Sequence, residues 1–89
     1  MFPKRVYVGM RVCFGADGTM RPVQIVWEDG RVFRVDQVLD VRRAASEAGG
    51  MGVRYTVRMR GLVRRLFFED TYSASGKSRW FVEQLANDK

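Results

Sequence analysis

Residues 23–35 read V-Q-I-V-W-E-D-G-R-V-F-R-V, two alternating apolar runs that meet at Asp29-Gly30, and the way they fold back on each other decides the fold. A two-residue loop at Asp29-Gly30 sets Trp27 against Val32 and Ile25 against Arg34, so each face mixes apolar and charged side chains. A three-residue loop, Glu28-Asp29-Gly30 as a type I turn with Gly30 as a left-handed bulge, sets Ile25 against Phe33 and Val23 against Val35. Gln24 and Arg34 then share the other face. A slip of one residue exchanges the faces of a strand, so burial selects the three-residue loop. Glycine suits the bulge because it has no Cβ to clash at positive φ. The stretch predicts a β-hairpin.

Outward from the hairpin the same signals recur. Lys4 to Val8 and Met10 to Phe14 read as one strand interrupted at Gly9, or as two short ones, and Ala16-Asp17-Gly18-Thr19 as a turn. Arg21-Pro22 marks a sheet edge or a strand start, since proline cannot donate to a ladder. Beyond the hairpin, the second strand continues through Val38-Leu39-Asp40-Val41 after a bend near Asp36-Gln37. Arg42 to Ala48 (R-R-A-A-S-E-A) has the composition of a short helix, with Asp40 as its cap and Gly49-Gly50 as its stop. A helix of about two turns is marginal alone, so residues 42–52 are expected to be a flexible connection containing a helical turn. Val53 to Arg60 alternates without exception: Val53, Tyr55, Val57 and Met59 on one side, Arg54, Thr56, Arg58 and Arg60 on the other. Gly61-Leu62 suits a type II′ turn, which places Leu66 against Val57, Phe68 against Tyr55, Arg65 against Arg58 and Phe67 against Thr56. A polar loop from Glu69 to Lys77, a closing strand from Arg79 to Leu85 and a polar tail from Ala86 complete the chain. About five to six short strands with tight turns predict one all-β domain over residues 1–89. It should be a small, strongly bent antiparallel sheet or partly open barrel of SH3-like or related type, with at most one short helix.

Composition bounds the function. At 89 residues the chain buries only roughly 60–65% of its unfolded surface, so its core is modest. There is no histidine and one cysteine, Cys13, which removes the commonest general base and the commonest transition-metal ligand. No enzyme, metal or cofactor is expected. Cys13 lies between Val12 and Phe14 and is expected to be a buried thiol. No apolar run approaches the ~20 residues that cross a bilayer, and M-F-P-K-R-V-Y-V has no signal-peptide core; a cytoplasmic location and no membrane partner are expected. The net charge is +6, and thirteen of the sixteen basic residues are arginine, which binds phosphate and stacks on bases better than lysine.

Three constellations carry candidate chemistry. Arg54, Arg58, Arg60, Arg64 and Arg65 lie within twelve residues that contain no acid, and a like-charge pair of Arg58 and Arg65 would destabilise a sheet unless a polyanion bridged it. Arg31 and Arg34 extend that patch if the two hairpins are neighbours. Phe67, with Trp80 and Tyr72 nearby, offers bases a stacking platform. The competing reading is a solvated face neutralised by Glu28, Glu69 or Glu83. Ser73 to Ser78 (S-A-S-G-K-S) ends like a phosphate-binding loop, but Thr71 stands where the first glycine is required and a strand follows in place of a helix, so a turn explains it. Asp36, Asp40, Glu69 and Asp70 are carboxylates of the kind that do acid–base work or hold a divalent cation, but their places at strand ends and loop starts read as turn chemistry and salt bridges to the arginines. Trp27 reads as a core residue.

The segments W-E-D-G-R-V-F-R-V-D-Q-V-L-D-V (27–41), R-Y-T-V-R-M-R-G (54–61), L-F-F-E-D (66–70) and R-W-F-V-E (79–83) together resemble uncharacterised short bacterial β domains. Some of these are encoded beside or fused to error-prone DNA polymerases of the translesion type. The resemblance spans about Arg21 to Glu83; at the middle connection this chain has R-R-A-A-S-E-A-G-G where that group has paired tryptophans. It implies a replication or repair setting and no known activity. The functional expectation is a small binding module that contacts DNA or RNA through Arg54, Arg58, Arg60, Arg64, Arg65, Phe67 and Trp80. A replication or repair protein is a further partner implied by the resemblance. The alternative is a protein-interaction or structural domain, homodimeric through an exposed strand edge; the sequence leaves the oligomeric state open.

Overall fold

In the computed structural model, which describes residues 4–49, 51–70 and 78–84, the alternating runs become antiparallel strands. They are β1 (Lys4–Phe14), β2 (Met20–Val26), β3 (Val32–Arg34), β4 (Gln37–Ala45), β5 (Met51–Met59), β6 (Leu62–Asp70) and β7 (Ser78–Gln84). One sheet holds them in the order β3-β2-β1-β7-β6-β5-β4. It curls strongly into half a barrel, consistent with a small SH3-like barrel, and no helix occurs among the described residues.

The curl originates in β1. Lys4 to Val8 pair with β7, whereas Gly9 to Phe14 pair with β2. At the changeover a Cβ on Gly9 would stand 3.2 Å from the Cβ of Val26, and a bulge follows between Arg11 and Val12. Bulges bend a strand and increase its twist. The sheet therefore closes on itself, and Ile25 and Val35 meet Tyr55, Val57, Met59, Leu66 and Trp80 in one buried cluster. Tyr55 ties the two halves, donating its hydroxyl to the carbonyl oxygen of Met20 at 3.1 Å.

The 23–35 hairpin adopts the three-residue loop. Ile25 faces Phe33 and Gln24 faces Arg34, Gly30 has φ 90°, and its N–H donates to the Trp27 carbonyl at 2.9 Å. The bend beyond it falls at Val35-Asp36, between β3 and β4.

Three local expectations are corrected. The β5–β6 turn is Arg60-Gly61, one residue earlier than Gly61-Leu62: Met59 faces Leu62, Tyr55 faces Leu66, and Arg65 faces Thr56. Positive φ at both Arg60 (52°) and Gly61 (78°) makes it the type I′ form that matches strand twist. Arg58 thus lies opposite Val63, and the Arg58–Arg65 like-charge pair does not exist. Faces are preserved, because the shift moves the pairing by two residues. Second, residues 42–45 are strand, paired with β5 from Arg42↔Arg54 to Ala45↔Met51, and a turn from Ser46 to Gly49 follows in place of a helix. Ladder pairing overrides the weak helical propensity of R-R-A-A, and Asp40 receives Arg42 Nε at 2.7 Å instead of capping. Third, Cys13 is exposed; with Val12 turned to the core, strand alternation sends Cys13 outward.

The outer face carries its own apolar layer. Tyr7, Phe81 and Phe67 stand side by side on β1, β7 and β6, with Phe67 stacked on Phe81 at 5.0 Å and both fully buried. The Ser46–Gly49 turn reaches β7, where Glu83 accepts hydrogen bonds from Ser46 Oγ (2.8 Å) and Glu47 N (2.7 Å). To do so it crosses the outer side of β6. Gly52 allows the crossing, for a Cβ there would lie 2.6 Å from the Phe68 carbonyl oxygen.

The polar loop through 71–77, with Tyr72 and most of S-A-S-G-K-S, and the tail from 85 onward lie outside the described residues.

Candidate nucleic-acid interface

The arginines singled out in the sequence do not share one face. Arg54, Arg58 and Arg65 lie on the outer side, on β5 and β6, while Arg64 pairs with the core residue Val57 and so faces inward. Arg60 occupies the turn. Arg58 is exposed on β5 near the β3–β4 junction, where its carbonyl accepts the Asp36 N–H at 2.9 Å. Arg65 approaches Glu47 at 4.0 Å. Arg54 stands directly opposite Arg42, and its Nε is buried without a hydrogen-bond partner. Among the described residues, the guanidinium groups of Arg54, Arg58 and Arg60 meet no carboxylate.

The two aromatic residues assigned to stacking are unavailable in this fold. Phe67 has no exposed surface, and Trp80 retains 7%, its ring packed at 5.1 Å from Tyr55 and 5.2 Å from Phe68. The alternation that put Phe67 outside was right, but the outer face is covered by the β4–β5 turn. Two of the three carboxylates expected to neutralise the β5–β6 arginines, Glu69 and Glu83, are engaged elsewhere. Glu69 pairs with Arg79 (3.0 Å) and Arg5 (3.4 Å) and accepts the Tyr7 hydroxyl; Glu83 holds the Ser46 turn. Asp36 accepts the N–H of Arg60 at 3.1 Å. No group of three or more cysteine and acidic side chains among the described residues could hold a metal ion.

What the curl does assemble is a cleft of about 650 Å³ between the tips of the β2–β3 and β5–β6 hairpins. Trp27, Arg31 and Phe33 come from the first hairpin and Met59, Arg60, Leu62 and Arg64 from the second, with Leu66, Val82 and Glu83 completing the lining. Each side chain is placed by a local rule. Trp27 and Arg31 are the closing pair of the three-residue loop, joined by the Trp27 N–H to the Arg31 carbonyl at 2.7 Å. The loop residue Asp29 fixes Arg31, accepting its N–H at 3.0 Å and its Nε at 2.6 Å. On the opposite tip, the Asp36 carboxylate and the left-handed backbone of Arg60 aim that residue toward the first hairpin.

Arg31 and Arg60 both approach one ring, their guanidinium carbons 5.6 Å and 5.7 Å from the centre of Phe33. Each contact is a cation–π interaction; Arg31 is already paired with the Asp29 carboxylate at 2.6 Å, whereas the Arg60 guanidinium meets no carboxylate among the described residues and can accept an added anion. The half-buried Trp27 offers a flat apolar surface at the same opening. Cations next to an aromatic surface are what a phosphate with an attached base requires.

Sequence reading missed Trp27 and Phe33 as site residues and gave Arg31 only a supporting role. Their convergence with Arg60 and Arg64 is set by the curl of β1, far away in sequence. The one local signal was that Trp27 and Arg31 bracket a turn, where side chains reach past the sheet edge. No helix among the described residues is long and apolar enough to cross a membrane. Comparison with protein-family models, with curated proteins and with solved structures finds no match.

Proposed function

We propose that this domain is a non-enzymatic binding module that takes a single-stranded nucleic acid into the cleft between its two hairpin tips. The observation that carries this reading is the convergence of Arg31 and Arg60 on Phe33 beside Trp27, in a cleft of about 650 Å³ that also includes Arg64. The arginines take phosphate oxygens through paired N–H donors, and a base stacks on Trp27. Arg54, Arg58 and Arg65 face the other side of the sheet and are left out. A single strand is favoured over a duplex because only unpaired bases expose the faces that an aromatic surface stacks on. The net charge of +6 steers any polyanion toward the protein. A replication or repair accessory role rests on the resemblance of the sequence segments alone.

Fluorescence anisotropy with a labelled, mixed-sequence single-stranded oligonucleotide tests the proposal. Three phosphate contacts give a plot of log K against log salt with a slope of about −2, at about 0.7 per contact on a single strand. Affinity independent of salt, or equal preference for an uncharged backbone analogue, would remove the proposal.

A further inference from the structure

Among the described residues β4 is the last strand of the sheet and bonds only to β5. Its other edge therefore presents unpaired N–H and C=O groups along nine residues. Such an edge templates the addition of another strand, and proteins usually guard it with charged side chains (lysine above all), proline, a β-bulge or a very short strand. β4 is nine residues long without lysine or proline; it carries a bulge between Val38 and Asp40 and the charges of Asp40, Arg42 and Arg43, while Leu39 and Val41 stand 40% and 49% exposed along it. The opposite edge, β3, has only three residues and is a poor template.

The charges on β4 select the partner. An antiparallel sheet that continues across a two-fold axis needs that axis perpendicular to the sheet, so one residue of β4 must face its own copy. Centring on Asp40 opposes two carboxylates, and centring on Arg42 opposes two guanidinium groups. Centring on Val41 sets Asp40 against Arg42 of the second copy, twice, with Val41 on Val41 between them. Opposite charges directly across a ladder stabilise it and like charges do the reverse. Within one chain Asp40 Oδ2 already holds Arg42 Nε at 2.7 Å on the same face, so pairing completes a square of four alternating charges. We infer that β4 pairs antiparallel with β4 of a second copy of this chain, centred on Val41, making a homodimer with one continuous sheet.

Sedimentation equilibrium of the full chain over a wide range of concentration reads the dimer directly. The wild type should show a monomer–dimer equilibrium. D40R and R42D alone should each weaken it about tenfold or more by opposing like charges. Mixed together they should recover a heterodimer, since one chain then presents only cations at the two positions and the other only anions. The double exchange D40R/R42D should pair with itself as the wild type does and reject the wild-type chain, which keeps the test decisive if a single variant does not fold. A wild type that stays monomeric overturns the inference, as does a dimer that both single variants leave intact or a double exchange that mixes freely with the wild type.

Discussion

Replacing Arg60 with asparagine separates the fold from the binding surface in one substitution. Arg60 holds φ at 52° as the first central residue of the β5–β6 turn. For an L-residue the left-handed region costs roughly 1–2 kcal/mol, and asparagine is among the few side chains that tolerate it. Asn-Gly is moreover a favoured pair for a type I′ turn. The backbone N–H that reaches Asp36 at 3.1 Å is retained. Against this gain, the guanidinium leaves the face of Phe33, a contact worth roughly 0.5–1 kcal/mol at an exposed site. The balance lies between about zero and +1.5 kcal/mol in favour of the variant. In a domain of this size 1 kcal/mol moves Tm by about 4–8 °C. Binding should change in the other direction: one cation is gone from the cleft, so the salt slope should become shallower by about 0.7 and affinity at low salt should fall roughly tenfold, about 1.4 kcal/mol. Thermal unfolding followed by circular dichroism, alongside anisotropy at two salt concentrations, reads both effects on one sample. A variant with wild-type affinity and slope would refute the cleft as the binding surface. A Tm lowered by many degrees would refute the account of the turn.

Three other outcomes follow from the packing and the charges. Gly52→Ala places a Cβ 2.6 Å from the Phe68 carbonyl oxygen, a backbone atom that cannot step aside, and should lower stability by roughly 1–3 kcal/mol in urea denaturation; an unchanged midpoint contradicts the close crossing. Phe67→Ala empties a fully buried site stacked on Phe81 and should remove roughly 3–5 kcal/mol, enough to unfold much of a marginal domain, whereas a freely exposed Phe67 would make the change nearly neutral. Acid should weaken the fold through Asp17 and Asp29. The Thr19 hydroxyl and N–H hold Asp17, and chiefly the Arg31 N–H holds Asp29, below the usual carboxylate range; because these folded values are depressed, their contribution is present above the unfolded value near 3.9 and is lost as pH falls through the folded one. The denaturation midpoint should therefore decline as pH drops below about 4, and Asp17→Ala should flatten that decline.

Much of the fold was legible in the sequence because burial and local stereochemistry agreed there. The register of the 23–35 hairpin followed from keeping Ile25, Phe33, Val23 and Val35 on one face, and the glycine at the bulge allowed it. The inward side of β5 was legible for the same reason. Where the reading failed, a distant contact outweighed a local preference. Arginine is a poor left-handed residue, so the sequence favoured glycine first in the β5–β6 turn; the Asp36 carboxylate and the Phe33 ring, supplied by another part of the chain, offset that cost. R-R-A-A-S-E-A has helical composition, but an adjacent strand edge claimed its backbone. The site was less legible than the fold. Phe67 alternates outward and yet is buried, because Gly52 lets the β4–β5 turn cross β6. Trp27 and Arg31 are close to Arg60 and Arg64 only because β1 bends and brings two hairpin tips together, and no spacing along the chain encodes that bend beyond the glycine at position 9.

The central claim is that the cleft between the hairpin tips receives a single strand, and an amide-resolved NMR titration with a mixed oligonucleotide at low salt tests it most directly. The account predicts shifts concentrated at Trp27, including its indole N–H, and at Arg31, Phe33, Arg60 and Arg64, fading as salt is raised. Shifts centred instead on Arg54 and Arg65 across the outer face, or a spectrum that does not move, would contradict it.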